Sequence, residues 1–269
     1  MSEILLSASN LTKTYRQRTG RFGFGSKQVR ALDDVSISIK AGSTLAIVGE
    51  SGSGKSTLAR CLLQLLPLDG GTVQFQGQDL ASLSGDALRA VRRNLQMVFQ
   101  DPFASLNPRM KVGEIVGEGL LIHGLGNAKE RADKVLQMLE RVGLTAADMQ
   151  KYPHEFSGGQ RQRVGIARAL VLQPKLVVCD EPVSALDVSI QAQILLLLKQ
   201  LQQEMGLSYL FISHDLRVVR HVADEIAVMH GGKIVEQGVV ESIYSAPQQA
   251  YTQNLLKAIP GQHRQKAVA

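Results

Sequence analysis

Ala46-Ile-Val-Gly-Glu-Ser-Gly-Ser-Gly-Lys-Ser-Thr-Leu-Ala-Arg-Cys-Leu-Leu63 decides how the rest of this chain is read. Ala46 to Val48 is an apolar strand end and Thr57 to Leu63 has a helical pattern, so Gly49 to Thr57 joins a strand to a helix. Gly49, Gly52 and Gly54 allow the backbone to turn its N–H groups inward with no Cβ in the way. The helix N-terminus adds partial positive charge, which makes the segment a phosphate cradle. Glu50, Ser51, Ser53 and Thr57 complete it, Lys55 is placed to reach the outer phosphates, and the Ser56 hydroxyl is a magnesium ligand by type. A glycine-rich turn with a chance lysine is the competing reading, and the strand–loop–helix setting counts against it.

Leu176-Val-Val-Cys-Asp180 is a short apolar run ending in a carboxylate, the pattern of a buried parallel strand. Asp180 at its end suits Mg²⁺ held through water, and Glu181 is the group expected to polarise an attacking water. A helix-capping acidic pair is the alternative. Between these two segments lies Phe156-Ser-Gly-Gly-Gln-Arg161, where a serine and two glycines open the helical stretch Gln160 to Leu172. This is a second anion-binding N-terminus, too far along the chain to belong to the first cradle, so its phosphate must come from elsewhere. His214 follows the strand-like Leu207 to Ile212, a common place for a site residue in an open α/β sheet. A lone histidine there is more often structural.

At 269 residues with 44% hydrophobic content, the chain can bury a sizeable core as one domain with an inserted subdomain. Cys61 and Cys179 sit in apolar segments without metal spacing and read as reduced core thiols. The start, Met1 to Ser7, carries an early acid and too short an apolar run for a secretory signal. No stretch approaches the ~20 apolar residues of a membrane span. Much of the basic excess behind the net charge of +6 lies at Arg16, Arg18, Arg21, Lys27 and Arg30 and at Lys257, Arg264 and Lys266, with His263, counted neutral, among the last. Interleaved aromatics are missing, so a specific nucleic-acid partner is not expected.

Gly20 to Ser26 reads as an exposed glycine-rich loop before a strand Val35 to Ile39. From Asp101 to Leu172 the pattern is mostly helical, with a stripe at Ala132, Val135, Leu136, Leu139 and Val142 that Gly143 ends. Ile190, Ile194, Leu197, Leu198 and Leu201 mark another core-facing helix, and Ala227–Met229 with Lys233–Glu236 read as a hairpin around Gly231-Gly232. The apolar, turn-rich Asp101 to Pro108 stands between the first cradle and the helical region, either as a docking surface or as a hinge.

On these motifs, nearly the whole chain resembles the nucleotide-binding subunit of an ABC transporter. The resemblance implies an α/β fold: a P-loop, RecA-like core with an N-terminal antiparallel β subdomain and an inserted α-helical signature subdomain. Residues 1–269 are then one ABC ATPase domain, with 1–100 and 173–245 as core plus β subdomain, 101–172 helical, and 246–269 a short C-terminal extension. It further implies ATP and Mg²⁺ as ligands. Ser157, Gly158, Gly159 and Gln160 match the signature that contacts the γ-phosphate bound to an opposite subunit. Gln100 matches the Q-loop glutamine that senses Mg²⁺ and γ-phosphate, Asp187 in Ser184–Asp187 the D-loop, and His214 the switch histidine. Tyr15 sits where the family stacks an aromatic on adenine, although a tyrosine there is also ordinary packing.

The strings QDPFASLNPRMKVGEIVGE, YPHEFSGGQRQRV and EPVSALDVSIQAQIL, with the end Ala246 to Pro260, are similar to the oligopeptide and dipeptide importer branch. Nickel, glutathione and antimicrobial-peptide systems share these features. Val183 and Phe156 depart from the usual threonine or serine and leucine, at positions that make no phosphate contact. The implied partners are a second ABC ATPase subunit (identical or a paralogue), two permease subunits and an extracytoplasmic substrate-binding protein. The implied place is the cytoplasmic face of the inner membrane. No cysteine cluster for an iron–sulfur centre is present near the C-terminus. A soluble ABC ATPase of DNA repair or translation is the alternative, and it would carry long insertions or two ATPase domains.

Overall fold

The computed structural model describes residues 3–19 and 25–259. Gly20 to Phe24, including Arg21, and the tail with His263, Arg264 and Lys266 lie outside the described residues. The chain forms two compact units, Met1–Ser82 with Leu210–Ala269, and Leu83–Tyr209.

The first unit opens with β1 (Ile4–Thr19), β2 (Gly25–Lys40), β3 (Thr44–Val48), α1 (Lys55–Leu62), β4 (Gly70–Phe75) and β5 (Gln78–Asp79). β1 and β2 pair antiparallel from Ile4↔Lys40 to Thr19↔Gly25. The strand expected at Val35–Ile39 is therefore the end of a 16-residue strand, and Gly25 and Ser26 belong to it rather than to a loop. Leu32, Val35, Ile37 and Ile39 are buried, and the last three alternate as a half-covered strand requires. The other edge of β1 pairs with β4, and β4 with β5, giving a four-stranded sheet in the order β2-β1-β4-β5.

The second unit runs through α2 (Gly85–Asn94), β6 (Leu95–Val98), α3 (Pro102–Ser105), α4 (Val112–Ile122), α5 (Ala128–Arg141), α6 (Gly158–Leu170), β7 (Leu176–Asp180), α7 (Val188–Met205) and the start of β8 (Ser208–Ser213), whose remainder from Leu210 belongs to the first unit. β6 and β7 pair in parallel from Leu95↔Leu176 to Val98↔Cys179, and every residue of β7 is buried. α5 starts on an Asn127–Glu130 capping box and ends before Gly143, whose φ of 77° suits glycine. Val135, Met138, Leu139 and Val142 face the core, whereas Ala132 is exposed and does not belong to the stripe. α7 buries Ile194, Leu197, Leu198 and Leu201 and stops at Gly206, φ 65°.

The chain then returns to the first unit with α8 (Leu216–Val222), β9 (Glu225–His230), β10 (Lys233–Val239), α9 (Val240–Ser245) and α10 (Ala250–Lys257). β3 pairs in parallel with β9, Leu45↔Glu225 to Val48↔Val228. All five residues of β3 and the apolar run Ile226–Met229 of β9 are buried, as strands covered on both faces must be. The turn Gly231-Gly232, φ 54° and 84°, closes β9 onto β10 as a two-residue hairpin. Among the described residues no helix is long and apolar enough to cross a membrane.

Candidate functional site

In the first unit, β3 ends at Val48 and delivers the chain into Gly49–Gly54, from which α1 starts at Lys55. Glycine is required twice over. Gly49 and Gly54 have φ of 152° and 111°, and a Cβ would run into the Met229 carbonyl oxygen at the first and the Ala31 carbonyl oxygen at the second. Neighbouring backbone closes the space at both, and the Ser53 hydroxyl at Gly49 and the Met229 Cε at Gly54 crowd it further. The Gly232 N–H donates to the Ser53 carbonyl at 3.0 Å and ties the β9–β10 turn to the same loop. Lys55 is only 5% exposed, and its ammonium donates to the Gly49 and Glu50 carbonyls at 2.8 Å each. A buried cation is thus gathered at the mouth of a helix N-terminus, which suits a polyphosphate. Ser56 and Thr57 follow in the first turn of α1, half-buried. Tyr15 presents an exposed ring on β1 opposite Val29. His214 is exposed after β8, and Asp215 behind it caps α8 by accepting from the Arg217 N–H at 2.9 Å. The Arg217 side chain holds the Asp215 carboxyl below its ordinary range.

In the second unit, β7 ends on buried Asp180, and Glu181 follows with φ 47°. A left-handed conformation at a non-glycine residue costs energy, and such outliers gather at working sites. Gln100 donates its amide N–H to the Glu181 carboxylate at 3.1 Å, so these two expected site residues meet. The Gln100 amide oxygen stays available as an acceptor. The Asp180 carboxylate and the Gln100 amide oxygen of this unit, and the Ser56 hydroxyl of the first, are each hard oxygen donors, the type that suits Mg²⁺ and not a thiophilic metal.

Ser157 caps α6. Its hydroxyl oxygen accepts from the Gln160 N–H at 3.3 Å, while the Gln160 side chain accepts from the Ser157 N–H at 3.0 Å. Gly158 and Gly159 are helical with no positive φ; a Cβ on Gly159 would come within 2.6 Å of the Ile190 side chain, and one on Gly158 within 3.4 Å of Leu186. The first turn of α7, through Ile190, and the turn before α7, through Leu186, thus pack on the glycines of α6. Gln191 supports that turn by donating to the Val183 and Leu186 carbonyls at 3.1 and 2.9 Å. Asp187 stands at the start of α7 and makes no side-chain cap bond there.

Two arginines were missed by pattern reading. Arg161 lays its guanidinium 3.8 Å from the ring centre of Phe103, and Arg168 donates to the Ser105 carbonyl. Asp101–Pro108 is not simply a turn-rich loop, because Asp101 caps the short helix α3 by accepting from the Phe103 and Ala104 N–H groups at 2.7 and 3.2 Å. Asp-Pro is the sequence signal for such a start. Phe103 stays 61% exposed. Nearby in the chain, α4 and α5 line a cleft of about 590 Å³ that includes Gly113, Gly117, Leu121 and Val135. The two cysteines are buried; burial pushes the Cys61 thiol up to about 11 and the Cys179 thiol up as well, so both are inert.

Residues 32–184 match the family model described as ABC transporter. The chain is 51% identical over 261 residues to a di/tripeptide transport ATP-binding protein of Pseudomonas aeruginosa, covering 97% of this chain and 80% of that one. It is 51% identical over 259 residues to an oligopeptide transport ATP-binding protein of Bacillus subtilis, covering 96% and 79%. Among solved structures, the dimeric post-hydrolysis state of an ATP-binding cassette bound to ADP and Pi is similar with a TM-score of 0.76 and 32% identity, covering 87% of this chain and 98% of that one.

Proposed function

The chain belongs to the ABC transporter family, and from that premise we propose that it is the ATP-binding subunit of an importer, energising uptake of peptides through partner permeases. It is an ATPase with the P-loop α/β fold of that family. The observation that carries this reading is the buried Lys55 ammonium, held in a loop where only glycine fits at 49 and 54. The relatives being peptide-transport subunits favours an importer over a soluble ABC ATPase.

In the proposed mechanism Lys55 and the α1 N-terminus bind the β- and γ-phosphates, with Gly49–Thr57 as the cradle, and Tyr15 stacks on adenine. Ser56, Asp180 and the Gln100 amide oxygen would hold Mg²⁺, whose charge would neutralise the phosphate oxygens. Glu181 polarises the attacking water, oriented by the Gln100 amide, and His214 contacts the γ-phosphate. The Ser157–Gln160 turn and Asp187 complete the site on the ATP of a second subunit, identical or a paralogue. Hydrolysis removes the γ-phosphate contacts and lets the two subunits part, a population shift driven by differential contacts.

The helical part, residues 101–172, carries the coupling surface: exposed Phe103 with the cleft between α4 and α5, where a permease helix docks. The chain then lies peripherally on the cytoplasmic face of the inner membrane, fed by an extracytoplasmic binding protein, with no specific nucleic-acid partner. Because Arg161 sits over Phe103, an aspartate there would gain an ion-pair partner, so Phe103→Ala is the cleaner test. With permeases and a peptide-loaded binding protein in vesicles, Phe103→Ala should lose stimulated hydrolysis and uptake while the free subunit keeps its ATPase rate. Wild-type uptake by the variant would remove Phe103 from the coupling surface; failure of the chain to co-purify with permeases would overturn the importer reading.

A further inference from the structure

The backbone N–H of Glu50, inside the phosphate loop, donates to the hydroxyl of Tyr251 at 3.2 Å, 201 positions further along the chain. That N–H shares one planar peptide group with the Gly49 carbonyl, which accepts from the Lys55 ammonium at 2.8 Å. Holding one end of a rigid plane fixes the direction of the other. This plane needs holding, because it follows Gly49, a residue without the Cβ that would restrict its rotation.

Tyr251 is well anchored for the purpose. Its ring packs against the His230 imidazole at the end of β9, with centroids 4.0 Å apart and planes tilted by 36°. The Glu236 carboxylate on β10 accepts from the Gln248 and Gln249 N–H groups at 2.7 and 3.1 Å and fixes the start of α10. Thr252 and Leu256 bury the inner face of that helix. The hydroxyl is thus presented to the loop from a helix seated on the same strands that pack behind Gly49.

We propose that Tyr251 is a positioning residue of the ATP site: its hydroxyl pins the Gly49–Glu50 peptide plane and, through the Gly49 carbonyl, sets where Lys55 meets phosphate. The C-terminal segment after β10 is then part of the nucleotide machinery. This rests on the reading of Gly49–Thr57 as the ATP cradle. Loss of the hydroxyl frees the plane but leaves the ring on His230 and returns an exposed N–H to water, so binding should suffer more than folding.

The test is Tyr251→Phe in the full chain, read by equilibrium titration with a fluorescent ATP analogue and Mg²⁺, steady-state ATPase, and thermal melting. Kd and KM for ATP should rise about three- to tenfold, the span of one neutral hydrogen bond, with kcat and Tm unchanged. In a Lys55→Ala background the same substitution should cost nothing further, because the group it positions is gone. Unchanged ATP affinity in Tyr251→Phe, or an equal loss in both backgrounds, overturns the proposal and leaves the ATP cradle standing. Wild-type ATP affinity in Lys55→Ala alone would overturn the cradle reading and this inference with it.

Discussion

Gly54 in the phosphate loop and Gly159 in the signature turn are glycines for different reasons. At Gly54 the backbone is left-handed and a neighbouring carbonyl occupies the space of a Cβ. At Gly159 the backbone is ordinary helix, and the obstacle is the Ile190 side chain. The two segments differ in exposure as well. Lys55 and Ser53 are buried at the mouth of α1, whereas Ser157 and Gln160 are exposed at the mouth of α6. The first loop encloses its charge within the chain; the second leaves a self-capped turn exposed. That difference is what the proposed function asks of two helix N-termini of similar composition, one wrapping a phosphate and the other touching one held elsewhere.

The largest expected effect joins the two. Glu181→Gln keeps shape and hydrogen bonding but cannot take charge from water, so turnover should fall by about 10²- to 10⁴-fold. ATP binding should survive and an ATP-dependent dimer should accumulate in size-exclusion chromatography. Hydrolysis close to wild type would move the base elsewhere.

The comparison breaks or stands on a second pair. Lys55→Ala removes charge-assisted contacts and should weaken ATP binding by the isolated subunit roughly ten- to hundredfold. Ser157→Arg should leave that affinity unchanged and block the ATP-dependent dimer, because its side chain fills the exposed turn. Equal losses of affinity in the two variants would mean that both loops serve one phosphate in one chain.

The smallest effect sharpens the glycine contrast. Gly159→Ala should cost about 1–3 kcal/mol through overpacking against Ile190, and Ile190→Ala should restore part of it in the double variant. Gly54→Ala meets backbone and has no such partner to trim. Thermal melts that show no recovery in the double variant would place the constraint in the backbone at both sites.

Much of this was readable from the chain alone where the signal is local. The strand β7 lies where Leu176–Asp180 was expected, and the β9–β10 turn sits on Gly231-Gly232 because a two-residue hairpin with positive φ asks for such residues. α1 and α6 begin two residues earlier than the pattern suggested, at Lys55 and Gly158, since glycine and charged residues hide a helix start from hydrophobic periodicity. The length of β2 was not readable. Its first half pairs with β1 through Arg30↔Thr14 and Gln28↔Arg16, polar residues that carry no core alternation. Contacts between distant segments were equally silent: Arg161 on Phe103, Arg168 on Ser105, Tyr251 on Glu50. Nor does any pattern announce the left-handed backbone of Glu181, which runs against that residue's own preference.

Arg161 and Arg168 grip α3 from points seven residues apart on α6, about 10 Å along the helix axis. Two contacts that far apart fix the orientation of α3 on α6 as well as its distance. On the proposed function, the turn capped by Ser157 and the exposed ring of Phe103 are thereby linked through two fixed points. Thermodynamic reciprocity then applies to whatever each end binds: if phosphate at the Ser157 face changes the affinity of Phe103 for its docking partner by some factor, docking changes the affinity for phosphate by the same factor. On the proposed function, then, coupling between the two ends has no preferred direction of command.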